Sequence, residues 1–397
     1  MKAGRIAGFA VVAAVLATII LSVFSASLAL AGSANGKARV IAHTDSEVSN
    51  AVAHGCNVLT QTKNLKALEC SPDVASSLGL QEDVQVFALD TKANSQIKAD
   101  LVQSGGNTGS GRKIVVLDTG YNYNHVELSS SYLGGKDFVN GDSDPADDNG
   151  HGTHVAGIIT ADGAKAKGVA PSAGIIAGKV LDASGSGYFS DVVAGIYWAV
   201  DGPDGIAGPV CQTINGTNGT STTTCANDDF NADAISLSLG TSQPYTYSGY
   251  CDSVLPDLTA AIQYARSRGV LVVVAAGNSG NAGVSIPGCI SYSTTVGAVD
   301  GRDKIASFSG RGSAVDVTAP GVNIYSAWLG TAYKILDGTS MATPMVSGTV
   351  ALIKSAHPTW TADQVESALR STATDLGASG FDSNYGWGRI NAQAAAK

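Results

Sequence analysis

From Lys113 onward, short apolar runs alternate with longer amphipathic stretches, and no other feature narrows the fold as far. The runs are Ile114–Leu117, Ile175–Leu181, Ala234–Leu239, Val270–Ala275 and Thr295–Val299. Between them, Ser190–Val200 and Leu255–Arg268 read as helices. Runs that are apolar on both faces belong to strands covered on both sides, and helical crossovers join strands in parallel. The prediction is an α/β fold: a mostly parallel, doubly wound central sheet with helices on both faces. Ligands of such sheets sit beyond the carboxyl ends of the strands, which sends Asp118, Ser238 and Asn278 to one rim. A last helical stretch, Thr361–Thr374, and Tyr385-Gly-Trp-Gly-Arg-Ile close the chain.

The chain has 397 residues, too many for one small domain. It is 44% hydrophobic and 14% charged, enough apolar material for a large core. A net charge of −9 and a pI near 5.0 argue against a nucleic-acid partner. Lys2 and Arg5 precede an uncharged run, Ile6–Ala31, that ends in the small-x-small pattern Ala29-Leu30-Ala31. That is the layout of a signal peptide over residues 1–31. It predicts a secreted, extracellular chain with no membrane attachment once the signal is removed; an uncleaved anchor is the alternative. No later run approaches the roughly 18–20 apolar residues that span a bilayer.

Residues 38–90 read as a small α+β unit of β-α-β-β-α-β order, with strands at Ala38–His43, Asn57–Gln61, Leu65–Glu69 and Val84–Leu89. Its helices fall at Ser46–His54 and Pro72–Leu78. Cys56 and Cys70 flank the central hairpin symmetrically, so a bond between them is geometrically reasonable. Export makes disulfides possible, and proximity also favours Cys211–Cys225 and Cys251–Cys289. Six cysteines allow fifteen pairings, and buried free thiols are the other reading. The polar, glycine-rich stretch Thr91–Arg112, with Ser104-Gly-Gly-Asn-Thr-Gly-Ser-Gly, has the composition of a flexible linker open to cleavage.

Three local patterns carry chemistry: Asp118-Thr119-Gly120, His151-Gly-Thr-His154-Val-Ala-Gly157 and Gly338-Thr339-Ser340-Met-Ala-Thr-Pro344. A serine hydroxyl needs a base to become a nucleophile at neutral pH, and imidazole has the right pKa. A carboxylate then fixes the tautomer and stabilises the imidazolium. Ser340 opens an apolar helical run, at the positive end of a helix dipole. Taken singly, Asp-Thr-Gly is a turn, a His pair at i, i+3 is a metal-ligand pattern, and Ser340 is a helix cap. Aspartic peptidase chemistry would need a second Asp-Thr-Gly copy, which is missing. Together, in this order, the three point to nucleophilic hydrolysis.

With these motifs the chain resembles the subtilisin-like serine peptidases (subtilases), nearest to proteinase K and thermitase, from about Lys113 to its end. The order Asp…His…Ser is a known mark of that family. The resemblance implies Asp118, His151 and Ser340 as the catalytic triad and Asn278, in Ala275-Ala276-Gly277-Asn278, as the oxyanion donor. It implies that residues 32–90 are a ferredoxin-like propeptide, an intramolecular inhibitor and folding chaperone, with processing in 91–112 and a peptidase domain over 113–397. Protein or peptide substrates would be clamped by Gly185-Ser186-Gly187 and Ser238-Leu239-Gly240. Phe189 would line an S4 pocket, and Ala275–Gly277 the S1 wall. No charged residue falls in S1, so an apolar or aromatic P1 is expected. A monomer needing no organic cofactor completes the picture.

Five aspartates, Asp137, Asp142, Asp144, Asp147 and Asp148, repel one another unless a cation sits among them, and oxygen-only ligands suit structural Ca2+. The stretch resembles a thermitase calcium loop, and Asp316 matches a carboxylate at a second family cation site. The chain departs from the subtilisin pattern after His151. It reaches Gly168-Val-Ala-Pro171 without the asparagine-rich loop of the strong calcium site, which leaves Glu127 without its metal-binding partners. The stretch Asp201–Asp233 reads as an insertion carrying Asn215-Gly-Thr and Asn218-Gly-Thr.

Overall fold

A computed structural model describes residues 37–61, 66–82, 91–163, 165–203, 205, 208, 210–215, 221–226 and 229–397. The signal segment, the expected strand Val84–Leu89 and Asn218 lie outside them. The chain divides into two compact units at Phe87/Ala88.

The first unit runs β1 (Ala38–Ala42), α1 (Asp45–Ala53), β2 (Asn57–Gln61), β3 (Lys66–Cys70), α2 (Pro72–Ser77) and β4 (Gln81–Glu82). Its antiparallel sheet has the order β2-β3-β1-β4. Thr44 and Glu47 form a capping box at the start of α1, and Ser71 caps α2 with Pro72 in its first turn. Val40, Ala51, Leu68 and Ala75 are fully buried between sheet and helices. The register Asn57↔Glu69 places Cys56 beside Cys70, and a disulfide joins them with 4.4 Å between Cα atoms.

The second unit opens with α3 (Thr91–Gln96) and α4 (Ala99–Ser104), then β5 (Lys113–Asp118), β6 (Tyr132–Asp137), α5 (His151–Thr160), β7 (Gly174–Lys179) and α6 (Phe189–Asp201). A hairpin follows, β8 (Val210–Asn215) and β9 (Ser221–Ala226), then β10 (Ala234–Leu237), β11 (Thr246–Tyr247), α7 (Pro256–Ser267) and β12 (Leu271–Ala275). The chain continues with β13 (Val284–Ser285), β14 (Thr294–Val299), β15 (Val317–Pro320), β16 (Ile324–Ala327) and β17 (Tyr333–Leu336). It ends with α8 (Thr339–Ala356), α9 (Ala362–Ser371) and α10 (Ala392–Ala395).

Seven strands form a wholly parallel sheet in the order β15-β14-β12-β10-β5-β7-β6. Side chains alternate across it as strand geometry requires. Ile114 and Val116 of β5 join one core with Val155 and Ile159 of α5 and Met345 and Val350 of α8. Val115 and Leu117 join the other core, with Ile196 of α6 and Ile262 of α7. All five predicted runs lie in this sheet, as expected for the doubly wound fold.

Two edge strands escaped the sequence reading. β6 (YLGGKD) has no apolar run because it is half exposed and irregular, with a register shift between Tyr132 and Gly135. β15 is only four residues long.

The reading of 91–112 as a flexible linker is corrected. Ile97 and Ala99 are completely buried. The polar side chains bond to backbone carbonyls of the core: Asn94 to Lys167 O at 2.8 Å, Gln103 to Gly168 O and Val169 O at 2.9 Å, and Asn107 to Leu352 O at 2.9 Å. Composition alone cannot tell such partnered polar groups from solvated ones.

Cys251 and Cys289 form a second disulfide, with 5.3 Å between Cα atoms. Cys211 stands opposite Cys225 in the β8–β9 ladder, and their side chains lie outside the described residues. No helix among the described residues is long and apolar enough to cross a membrane.

Candidate active site

Asp118 is the last residue of β5 and His151 the first of α5. A Cβ on Gly152 would stand 2.2 Å from Gly120 O and 3.2 Å from Asp118 Cβ, so only glycine lets the helix begin this close to the strand end. Asp118 is buried, and its Oδ1 accepts from His151 Nδ1 at 2.7 Å and from Thr119 N at 2.7 Å. With Nδ1–H committed to the carboxylate, the neutral ring keeps its lone pair on Nε2. Desolvation is the largest influence on this imidazole and lowers its pKa. The charge and hydrogen bond of Asp118, with the more remote Asp147, outweigh it and raise the pKa above its ordinary value.

Ser340 lies in the first turn of α8, where backbone N–H groups have no helical partner. Its Oγ donates to Ser238 O at 3.0 Å, and Ser238 Oγ donates to Ser340 O at 2.9 Å. Asn278 Oδ1 accepts from both the N–H and the hydroxyl of Thr339, each at 3.0 Å. Thr339 Oγ1 in turn accepts from Gly277 N at 3.1 Å. Holding the amide oxygen in this way leaves the Asn278 Nδ2 donors to the cleft. Thr339 was not singled out in the sequence, because nothing local marks a threonine as another residue's bracket.

His151, Asn278 and Ser340 line one cleft of about 780 Å³. Gly185, Ser186, Gly187, Phe189, Ser238, Leu239, Gly240, Ala275 and Gly277 line the same cleft, whereas Ala276, inside the expected S1 wall, is fully buried and does not line it. Among the described residues its lining contains no Asp, Glu, Lys or Arg. Gly277 has φ +88°, and a Cβ there would fall 1.9 Å from Ser285 Oγ. Sequence reasoning missed Tyr188 and Tyr245, two largely exposed rim tyrosines that only the fold brings to the cleft.

The aspartates of the expected cation loop each accept from donors within the protein. Asp147 Oδ1 accepts from Thr119 Oγ1, Asn149 N and Gly150 N, and its Oδ2 from the N–H and hydroxyl of Thr153. Asp148 pairs with the buried Lys179 at 2.6 Å. Asp137 accepts from Val139 N, Asn140 N and the Asn140 amide, Asp142 from Asp144 N, and Asp144 from the Tyr123 hydroxyl. Asp316 pairs with Arg370 at 2.6 Å and accepts from Thr295 N. Among the described residues no three His, Cys, Asp or Glu side chains gather as a metal site. Each of these six carboxylates thus meets donors within the protein, and the expected cation site is not visible as a cluster of acidic side chains. Glu127 follows the same rule, with Oε1 accepting from Lys165 N at 2.9 Å and Oε2 from Ala166 N at 3.0 Å.

His154 is fully buried and donates from Nε2 to Lys334 O at 3.0 Å, while its Nδ1 has no partner. Burial is the main cause of its pKa falling to about 4.

Residues 109–388 match the family model described as "Subtilase family". The chain is similar to an "Alkaline protease" of Shouchella clausii, 38% identical over 340 residues, 84% of this chain and 77% of that one. It is 40% identical over 305 residues to "Subtilisin Savinase" of Lederbergia lenta, covering 76% of this chain and 97% of the relative. It is 41% identical over 310 residues to "Subtilisin E" of Bacillus subtilis (strain 168), covering 76% and 70%.

Proposed function

The chain belongs to the subtilase family and is a serine endopeptidase, and on that footing we propose that Asp118, His151 and Ser340 are its triad and Asn278 its oxyanion donor. The 2.7 Å bond between His151 and Asp118, in the cleft that Ser340 and Asn278 also line, carries this reading. As a substrate carbonyl arrives, the Ser340 hydroxyl turns from Ser238 O toward His151 Nε2, which takes its proton as Oγ attacks. Asp118 stabilises the imidazolium. The oxyanion is met by Asn278 Nδ2 and the Ser340 N–H at the positive end of α8. His151 returns the proton to the departing amine, leaving an acyl-enzyme that water hydrolyses by the same steps.

Substrates are proteins or peptides laid as an extended strand on the backbones of Gly185–Gly187 and Ser238–Gly240. A lining without Asp or Glu offers a basic P1 no ion pair, so apolar or aromatic P1 residues are preferred. Faster cleavage after arginine than after phenylalanine in matched peptides would refute this preference.

The enzyme is a secreted, self-processing zymogen, with residues 32–90 as chaperone and inhibitor. The alkaline protease match covers 84% of the chain, more than residues 109–388 supply, which supports a shared N-terminal part. Because α3 and α4 are built into the core, processing falls before Thr91, in residues 83–90, and not in 91–112. Comparing the masses of the expressed precursor and its Ser340→Ala form tests both points. Equal loss of the prosegment by the two excludes self-processing through Ser340, and a new N-terminus beyond Thr91 excludes the site.

A further inference from the structure

We propose that Asp147 is a positioning residue for His151, tying the end of β5 to the start of α5 so that the imidazole keeps its bond to Asp118. The proposal rests on the triad reading above and goes beyond it, because Asp147 touches neither substrate nor a reacting atom.

One carboxylate serves three parts of the site. Its Oδ1 accepts from Thr119 Oγ1 at 2.9 Å, and Thr119 directly follows Asp118. The same oxygen accepts from Asn149 N at 3.0 Å and Gly150 N at 2.8 Å, which fixes the turn that delivers His151. Its Oδ2 accepts from Thr153 N at 2.9 Å and Thr153 Oγ1 at 2.5 Å, inside the first turn of α5. Thr119 Oγ1 meanwhile accepts from Gly152 N at 2.9 Å, so strand end and helix start are joined twice. A negative charge at a helix N-terminus is favourable in itself. Burial would raise the Asp147 carboxyl, but the bonds from Thr153, Gly150 and Asn149 more than compensate, and its pKa lies below the ordinary value. It is therefore a carboxylate at neutral pH.

This carboxylate is also a second negative charge acting on His151, after Asp118, and it raises the imidazole pKa. The other charged or titratable groups nearby are Asp148 in the same turn, Lys179 at the end of β7, which donates to Thr119 O at 2.8 Å, and His154 on α5. Asparagine is nearly isosteric but cannot accept at both ends. It must turn an NH2 toward the donors of Thr119, Asn149 and Gly150 or toward Thr153 N–H, so one junction opens while the volume is kept.

The test compares mature wild type, Asp147→Asn and Thr119→Val on a small chromogenic peptide. Active sites are counted with an irreversible serine reagent, and melting curves are recorded alongside. Asp147→Asn is expected to lose about tenfold or more in kcat per active site, with KM little changed, as misplacement of a catalytic group does. The acid limb of its kcat/KM profile should move to lower pH, because a negative charge near His151 is gone. Thr119→Val removes the junction but keeps the charge, so kcat should fall with the acid limb unmoved. Wild-type kcat per active site in Asp147→Asn, or an unmoved acid limb, overturns the proposal. Should Asp147→Asn yield no mature enzyme, Thr119→Val decides alone, and wild-type kcat there overturns it. Activity surviving in His151→Ala would instead sink the triad reading, whatever Asp147 does.

Discussion

His154 offers a quantitative test of how this site's helix is built. Its ring is fully buried, Nε2 is bonded to Lys334 O and Nδ1 has no hydrogen-bond partner, so burial opposes a second proton and the backbone of Lys334 and Ile324 offsets that only in part. The native pKa is about 4, against an ordinary 6.5. A histidine depressed in the native state is protonated first in the unfolded chain. The stability it supplies is complete above pH 6.5, is lost as pH falls from 6.5 to 4, and changes no further below that. A gap of this size amounts to about 3 kcal/mol lost by pH 4, and about half of that by pH 5.5. Asp316, pushed up to about 6 mainly by burial, and His151, raised mainly by Asp118 against its own desolvation, gain native protons on acidification and work in the opposite sense. The measurement must therefore be a difference. Mature wild type and His154→Gln, both silenced with a covalent serine reagent, are melted at pH 7 and pH 4. The wild type should lose roughly 6 °C more than the variant on acidification, taking about 2 °C per kcal/mol for a domain this large. Parallel losses would show that His154 does not resist protonation, and the account of its burial would fail.

Thr339→Val removes the hydroxyl that holds Asn278 Oδ1, and Asn278→Leu removes the donor itself. Active-site-normalised kinetics should show kcat down about 10²–10³-fold for Asn278→Leu, a magnitude known from the corresponding donor of subtilisin itself, with a smaller loss for Thr339→Val. Gly277→Ala would place a methyl 1.9 Å from Ser285 Oγ on a backbone with φ +88°, so kcat/KM for a phenylalanine P1 peptide should collapse. Unchanged turnover would mean that this wall does not shape S1. Opening Cys251–Cys289 by a double serine substitution frees a loop of sequence separation 38 and should cost about 4 kcal/mol, read as a lower melting temperature under non-reducing conditions.

The sheet was readable because its buried strands must be apolar on both faces, and Ile114–Leu117 or Val270–Ala275 can be little else. β6 and α3–α4 were not, because edge exposure and side-chain-to-backbone bonds leave polar, glycine-rich sequence that looks like loop. At the site, Asp118, His151, Asn278 and Ser340 stood out by type and local motif. What each carboxylate bonds to did not. The five aspartates of 137–148 suggested a cation by charge density alone, yet Asp147 and Asp148 are answered by Thr153 and Lys179, which lie farther along the chain and meet them only after folding. Thr339 was hidden for the same reason: its worth lies in a partner sixty-one residues away.

Ser238 and Ser340 hold each other by two reciprocal bonds, each hydroxyl to the other's carbonyl. One belongs to the edge on which a peptide would lie, the other to the residue that would attack it. In the resting enzyme the distance between track and blade is therefore fixed in part by the two serines themselves. A peptide docked in register on Ser238–Gly240 is thereby measured, and the bond presented for cutting is selected by its position along that edge before any side chain is read.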